Sequence, residues 1–501
     1  KDLGQPVRWF ADRSEAMLAD NAGRDLVTFA EAAFDADHIL TALRFHAVAN
    51  MGAYCSGYAQ FIQTELAQKV FTGVYDVQTV YFRVEGIFTN TTPVDAYRGA
   101  GRPEAIYVME RLMDYAAREL GVDGFALRRK NFIPREAFPY LTAGGETYDV
   151  GDFNRVLDRA LEEADVDGFA ARKADSAARG KLRGLGLCYY IESILGDPAE
   201  TTKIVFTEDG FVDLYAGTQS NGQGHETVYA QLLHHRSGIP YDKERIVQGD
   251  SDKVRKGGGT GGSRSVTTQG NSIKATADVI LAKFKPLAAE ELEVSATDVV
   301  FDDGTFAVAG TDRRVELIAL ADVARRKDMQ DLLVTEETAT LPGRSYPNGA
   351  HIAEVEVDPD TGVTQCVQYT VVDDFGLLIN PMLAEGQVHG GVAQGIGQAI
   401  TEHVVYDTEG QLLTGSFMDY AMPRAGDVPM MPFHAELVPS TANDIGMKGC
   451  GEAGTVGALA AVTNAALDAV WDSNVRQVDM PLTPLRMWQW LNEGAPALAA
   501  E

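Results

Sequence analysis

Apolar positions along the chain fall into three patterns. The first is a helical spacing, in which Ile106, Met109, Leu112, Met113, Ala116 and Leu120 return to one face. Pro103 stands in its first turn and Gly121 just past its last, the residues that commonly open and close a helix. The second pattern is alternation. Residues 203–207 and 211–215 alternate about Glu208-Asp209-Gly210, and 351–357 and 364–371 do so about Asp358-Pro359-Asp360-Thr361-Gly362. Both predict β-hairpins. The third is a continuous apolar run over 455–471, which predicts a buried helix starting just after Glu452.

Helices are also predicted over 267–284 and 383–400, each close to a glycine-rich element. A charged, Ala-rich stretch over 152–183 suits a surface connector. Asp123-Gly124 and Pro134 punctuate the end of the first segment, which mixes strands with one clear helix. Strands and helices interleave without a strict βαβ rhythm or a repeat of 20 to 50 residues, so the expected class is α+β. The expected division is 1–135, a helical connector at 136–183, and a larger domain at 184–501.

Composition narrows the class. The chain has 501 residues, 45% of them hydrophobic and 23% charged, which describes a globular protein with ample core. With 43 Lys plus Arg against 72 Asp plus Glu, the net charge is −29, which argues against a nucleic-acid or anionic-membrane surface. The one apolar run long enough to suggest a membrane span is interrupted by Thr455, Thr463, Asn464 and Asp468. Cys55, Cys188, Cys366 and Cys450 are scattered with no CxxC, so neither an iron–sulfur cluster nor a zinc site is supported. Reduced, mostly buried thiols in a cytoplasmic protein are expected. The opening Lys1-Asp2-Leu3-Gly4-Gln5 carries no secretory signal and no initiator Met, which reads as a processed or partial chain.

Five polar, glycine-bearing loops are the candidate chemistry. They are Asp95-Ala-Tyr-Arg-Gly-Ala-Gly-Arg-Pro103, Thr218-Gln-Ser-Asn-Gly-Gln-Gly-His-Glu-Thr227 and Lys256-Gly-Gly-Gly-Thr-Gly-Gly-Ser-Arg-Ser265. The others are Gly386-Gln-Val-His-Gly-Gly-Val-Ala-Gln-Gly-Ile-Gly397 and Met447-Lys-Gly-Cys-Gly-Glu-Ala-Gly454. Backbone N–H groups and hydroxyls before a helix, as at 259–265, suit phosphate oxygens. Gln223 and Gln394 each donate and accept, as a heterocycle edge requires. His225 and His389 lack a metal-spaced partner, so structural roles are expected for both. Tyr189 and Tyr190 are possible pocket walls, with core packing the simpler reading. Together the loops imply a large phosphate-bearing heterocyclic cofactor held at several points, with Glu452 aimed at it.

In order and over essentially the whole chain, these loops resemble the molybdenum hydroxylases, the xanthine oxidase family. The likeness is to the large subunit of the carbon monoxide dehydrogenases and their aldehyde- or heterocycle-oxidising relatives. The resemblance implies two elongated mixed α/β molybdopterin-binding domains. It implies molybdenum on molybdopterin, usually as the cytosine dinucleotide, with no protein side chain ligating the metal. Gln223, Gly224 and His225, the loop of Thr260, Gly261, Gly262, Ser263, Arg264 and Ser265, and Gln394 would hold the pterin and pyrophosphate. Arg98, Gly99 and Ala100 would pass near the molybdenum, and Lys448, Gly449 and Gly451 would flank the site. Glu452 matches the family's general base, taking a proton as water-derived oxygen reaches an electron-poor carbon. Its pKa is expected to be raised by burial, against a lowering pull from Lys448 and the helix N-terminus.

Departures from the family pattern narrow the expectation further. Gly99 stands where the carbon monoxide enzymes carry a copper-binding Cys, which argues against CO oxidation. Ala100 replaces the Phe that stacks substrate in xanthine-type relatives. An aldehyde or N-heterocycle is therefore expected. The family's upstream Gly-Gly-x-Phe-Gly loop is absent from the 501 residues, so another chain supplies it or the chain is a fragment. Electrons would leave through a [2Fe–2S] small subunit and an FAD medium subunit, in a dimer of heterotrimers. Three alternatives stay open: a carbon monoxide dehydrogenase-like subunit, an aromatic acyl-CoA reductase subunit, and a cofactor-free structural homologue.

Overall fold

In the computed structural model, which describes residues 2–493, a short helix at Arg13–Ala19 precedes the first three-stranded sheet. The first residue and the last eight, ends of the two outer domains expected from sequence, lie outside the described residues. β1 (Leu26–Phe34), β2 (Leu40–Gly52) and β3 (Thr79–Phe88) form one sheet with β2 central, antiparallel to β1 and parallel to β3. α1 (Arg102–Leu120) follows over the predicted run, with Pro103 in its first turn and Gly121 left-handed at its end.

The next element differs from expectation. The Asp123 side chain accepts the N–H of Ala126 and caps a second helix, α2 (Gly124–Asn131). Asp serves both turns and N-caps, and only the following structure decides between them. The connector contains α3 (Phe153–Glu163) and α4 (Phe169–Ala178), separated at Asp165 with φ 47°. α3 is more than a surface helix, because Phe153, Val156, Leu157 and Ala160 are buried.

The rest of the chain builds two four-stranded sheets and a small three-stranded one between Val299 and Glu316. β4 (Leu182–Ile191) belongs to the second four-stranded sheet. β5 (Ala199–Phe206) and β6 (Val212–Ala216) form the first predicted hairpin, with Val212 opposite Phe206. After α5 (His225–Ser237), β7 (Glu244–Val247) adds parallel to β6. α6 (Ser265–Glu291) then crosses the sheet, and β8 (Val334–Thr340) adds antiparallel to β5. Ile204, Val212 and Leu214 of the sheet meet Leu233 of α5 and Ile273, Ile280 and Phe284 of α6 in a core of their own.

β9 (Asn348–Val357) and β10 (Thr364–Asp374) form the second hairpin, as expected. β4 pairs antiparallel to β9. α7 (Pro381–Ile396) follows, and β11 (Phe433–Ala435) closes the far edge parallel to β10. α8 (Ala453–Val470) lies on β4 and β9, with α1 and α7 against its other sides. This larger core joins Ile106, Met109 and Met113 of α1 to β4, β9, β10 and α8, so the first and last parts of the chain pack as one. Tyr189 and Tyr190 lie inside it, donating O–H bonds to Asn348 and Asp373. The fold is α+β, as read.

Burial on every side explains the continuous apolar run of α8. Among the described residues one helical segment, Ala453–Ser473, is long and apolar enough to cross a membrane, and 94% of its apolar window is inside the fold. Its approach to β4 depends on glycine. A Cβ at Gly186 would lie 2.2 Å from the Ala465 nitrogen, and one at Gly184 2.1 Å from the Ala465 oxygen. Any larger residue must push the helix off the strand. Gly186→Ala should therefore cost about 1–3 kcal/mol of stability, read as a lowered urea midpoint at unchanged slope.

Candidate active site

Three of the five segments meet at Glu452, which occupies the N-cap position of α8. Its Oε1 accepts the Gly99 N–H at 2.8 Å, and its Oε2 accepts from Arg102 Nη2 at 2.5 Å. The Ser263 hydroxyl lies 2.9 Å from the same Oε2, while the Glu452 N–H donates to Ser263 Oγ at 3.1 Å. Gly449 permits this meeting. A Cβ there would lie 2.1 Å from the Ser263 carbonyl oxygen, so only a residue without one lets the two loops cross.

A second carboxylate stands behind the first. Glu192, just past β4, is fully buried, and its Oε1 accepts from Arg102 Nη1 at 3.0 Å and lies 2.5 Å from the Ser263 hydroxyl. Arg102 is equally buried. It is held by the Gly99 and Ser193 carbonyls as well as by the two carboxylates. Neither Glu192 nor Arg102 was singled out as a site residue from sequence. Arg102 stood in a quoted loop, but Glu192 follows Tyr189-Tyr190-Ile191, where a strand pattern drew attention to the tyrosines.

The electrostatics invert the expectation for Glu452. Burial pushes its carboxyl up, but Arg102, the Gly99 N–H and Ser263 together hold it below the ordinary glutamate value. The carboxyl that burial does raise is Glu192, to about 8, with the neighbouring Glu452 charge adding to the rise against Arg102. The lowering cation is Arg102 and not Lys448. The Lys448 ammonium, expected to flank the cofactor, is instead fully buried and 2.5 Å from Asp374.

Arg98 ties the site to α7. Its Nε donates to the Gly451 carbonyl at 2.5 Å, Nη1 to Gln394 Oε1 at 3.1 Å, and Nη2 to Gln387 Oε1 at 3.0 Å. The segment 386–397, quoted among the loops, lies within the helix predicted over 383–400, α-helical to Ile396 and continued by a π-helical turn to Thr401. Asn380 caps it and Pro381 opens it, and Gln387 and Gln394 both meet Arg98. His389 Nε2 donates to the Met431 carbonyl at 3.0 Å, a structural contact.

The segment before α6 has the opposite character. Among the described residues, none accepts a bond from the backbone N–H groups of Gly259 to Ser263. A Cβ at Gly259 or Gly261 would meet nothing within 4 Å. Free amides around open space, ahead of a 27-residue helix, fit an anionic group such as a pyrophosphate. Arg264 is not one of its ligands as placed. Its guanidinium is buried on Glu200, and the Gly259 carbonyl accepts from it, so it clamps the loop from behind. Ser265 starts the helix, and Thr260 donates to the Gln219 carbonyl, linking this loop to the 218–224 turn. In that turn the Gln223 amide is engaged with the Asn221 N–H and with His225. His225 is buried against Gln248, and burial lowers its pKa, so the imidazole is neutral at pH 7.

The sequence matches the description "Molybdopterin cofactor-binding domain" twice, over residues 1–132 and 159–429. The chain belongs to the molybdopterin cofactor-binding domain family. It is 33% identical to the carbon monoxide dehydrogenase large chain of Hydrogenophaga pseudoflava, over 99% of this chain and 64% of that protein. It is 33% identical to the nicotine 6-hydroxylase large subunit of Paenarthrobacter nicotinovorans, over 97% and 62%. The crystal structure of quinoline 2-oxidoreductase from Pseudomonas putida 86 superposes with a TM-score of 0.93 at 32% identity, over 98% of this chain and 65% of that one. The chain thus spans under two thirds of the length of these relatives.

Arg102→Gln tests the electrostatic core of the site. Removing the shared cation strands two buried carboxylates, and breaking a buried pair costs about 3–5 kcal/mol. Because the Glu452 pKa is depressed, its pairing stabilises the fold above the ordinary glutamate range and loses that contribution as pH falls through the folded value. The deficit of the variant, measured by chemical denaturation, should shrink on the same acid side.

Proposed function

We propose that this chain is the molybdopterin-binding, catalytic part of a molybdenum hydroxylase that oxidises an aldehyde or N-heterocycle with water as oxygen source. When bound, the cofactor supplies a two-electron oxidation at molybdenum. The chain's residues supply the rest. The amides of 259–263, with the start of α6, receive the pyrophosphate of a cytosine dinucleotide form. Gln223 and Gln394 face the pterin, and Arg98 fixes the loop beside it. Residues 1–135 and 184–501 are assigned to the two molybdopterin-binding domains, joined by 136–183.

The single observation that carries this reading is the convergence of Gly99, Ser263 and Gly451-Glu452 on one carboxylate. Glu452 is the general base. Its Oε2 faces both Arg102 and Ser263, whereas among the described residues Oε1 accepts from the Gly99 N–H alone. A carboxylate oxygen has two lone pairs, so Oε1 keeps one with which to take a proton. The side chain retains 14% exposure, enough to meet a ligand from one side. At Gly99 a Cβ would lie 2.2 Å from Pro103 Cγ, which disfavours a copper-binding cysteine and supports a substrate other than CO.

A cleft of about 1560 Å³ runs beside Tyr97 and Gln394 and is rimmed by exposed Phe417, Met422 and Met430. Substrate pockets are roughly 300–1,000 Å³ and enclosed, so we assign this wider cleft to the portion of the large subunit that the chain does not span. A [2Fe–2S] subunit and an FAD subunit carry the electrons away, in a cytoplasmic dimer of heterotrimers.

Two measurements test this. The purified complex should contain molybdenum and release CMP on hydrolysis, and it should reduce an artificial acceptor with an aldehyde or N-heterocycle. Absence of both molybdenum and CMP would leave a structural homologue. Glu452→Gln should keep the molybdenum and lose turnover by about 10²–10⁴-fold, and a cofactor-replete variant of near-normal rate ends the base assignment.

A further inference from the structure

Two carboxylates share one guanidinium and one hydroxyl at this site, and they are unequally supplied with donors. Glu452 receives three: the Gly99 N–H, Arg102 Nη2 and the Ser263 hydroxyl. Glu192 receives Arg102 Nη1 and the Ser263 hydroxyl, both on Oε1. Among the described residues, nothing donates to Glu192 Oε2, although it is buried. Ser263 has a single hydrogen, so it serves one carboxylate at a time.

From this geometry we propose that Glu192 is a positioning residue that stands as the neutral carboxylic acid at neutral pH, holding the one proton the pair shares so that Glu452 stays ionised. This rests on the reading of Glu452 as the base. An ionised Glu192 would leave a buried anionic oxygen with no donor, a costly arrangement, whereas a proton on Oε2 turns that atom into a donor. The Ser263 hydroxyl lies 2.5 Å from Glu192 and 2.9 Å from Glu452, and two carboxylates held that near one another repel unless one is protonated.

The contacts agree. Among the described residues, Arg102 is the one cation hydrogen-bonded to both carboxylates. Arg98 is a second cation whose charge reaches both, but it spends its donors on Gly451, Gln394 and Gln387. Among the described residues, no other titratable group near the pair donates a hydrogen bond to either carboxylate. Cys450 on the α8 loop and Tyr190 on β4 are kept neutral by burial. Asp373 on β10 is bound by Tyr190 and contacted by His351, Lys448 is paired with Asp374, and Glu104 on α1 pairs with Arg24. The hydrogen-bonded set of one Arg, one carboxylate and one carboxylic acid sums to zero, whereas two carboxylates on that one Arg leave the set negative, with Arg98 acting on it only through space. The pair has the form of two acids whose surroundings drive their protonation apart, with burial pushing the Glu192 carboxyl up to about 8.

Infrared difference spectroscopy on the intact complex reads the proton directly. The wild type at neutral pH should show a protonated-carboxyl stretch that titrates away through about pH 8 and is missing in E192Q. The alkaline fall of kcat should move to higher pH in E192Q, because an amide cannot ionise beside Glu452, while the acid limb stays in place. No such band in the wild type, or an alkaline limb unmoved in E192Q, overturns the proposal. Should E192Q not fold, the wild-type band alone decides by its presence or absence. Near-normal turnover in E452Q would instead sink the base assignment and leave the band, and its assignment to Glu192, standing.

Discussion

Arg102 is the interaction on which the site depends. It sits where α1 begins and reaches the end of β4 through Glu192 and Ser193, and the entry to α8 through Glu452. A buried guanidinium is tolerated only when its donors are all used and its charge is met. The Gly99 carbonyl takes Nε, so the loop that carries Arg102 is fixed by the same group that it fixes. Three stretches separated by about 90 and 350 residues are thereby held at one point. None of them could shift without exposing a charge to an apolar interior.

That point needs a rigid floor, and α8 with β4 supplies it. The helix backbone rests on Gly184 and Gly186 without intervening side chains. Glu452 at the head of the helix and Glu192 at the end of the strand are consequently fixed relative to one another by backbone packing. Close backbone contact transmits little slack, because dense interiors do not deform continuously. The segment before α6 is built differently. Its amides at 259–263 are free and Gly259 and Gly261 face open space, while Arg264 and Glu200 hold it from the buried side. In the proposed reading the rigid part bears the chemistry, and the open part receives an anion.

Much of this was legible in the sequence because it is local. The α1 run, with Pro103 and Gly121 at its ends, and the two hairpins are set by spacings of a few residues. The glycine-rich segments were visible as sites for the same reason. What escaped was decided by partners far away in sequence. Asp123 reads as a turn until the helix after it is seen to use its side chain. Lys448 stands four residues before Glu452 and suggests a neighbouring charge, yet Asp374 captures it inside the core. Arg264 reads as a phosphate ligand, but Glu200 turns it inward. Glu192 carries no local signal, since a single acid at the end of an apolar strand is also what a surface-exposed strand end would have.

The sign of the Glu452 shift matters for what a base can do here. Burial alone would raise its pKa and improve its proton affinity, at the risk of leaving it protonated when needed. The donors around it choose the other limit, a carboxylate that is ionised throughout the neutral range but weaker as a base. Such a base works when the proton it receives is acidic, or when the product proton is stabilised once transferred. The lone pair left on Oε1 belongs to the oxygen that Arg102 and Ser263 do not use, so a proton arriving there does not displace either donor. The arriving proton leaves the ion pair and the clamp on the loops intact, and the site can return to its starting state without rebuilding its framework.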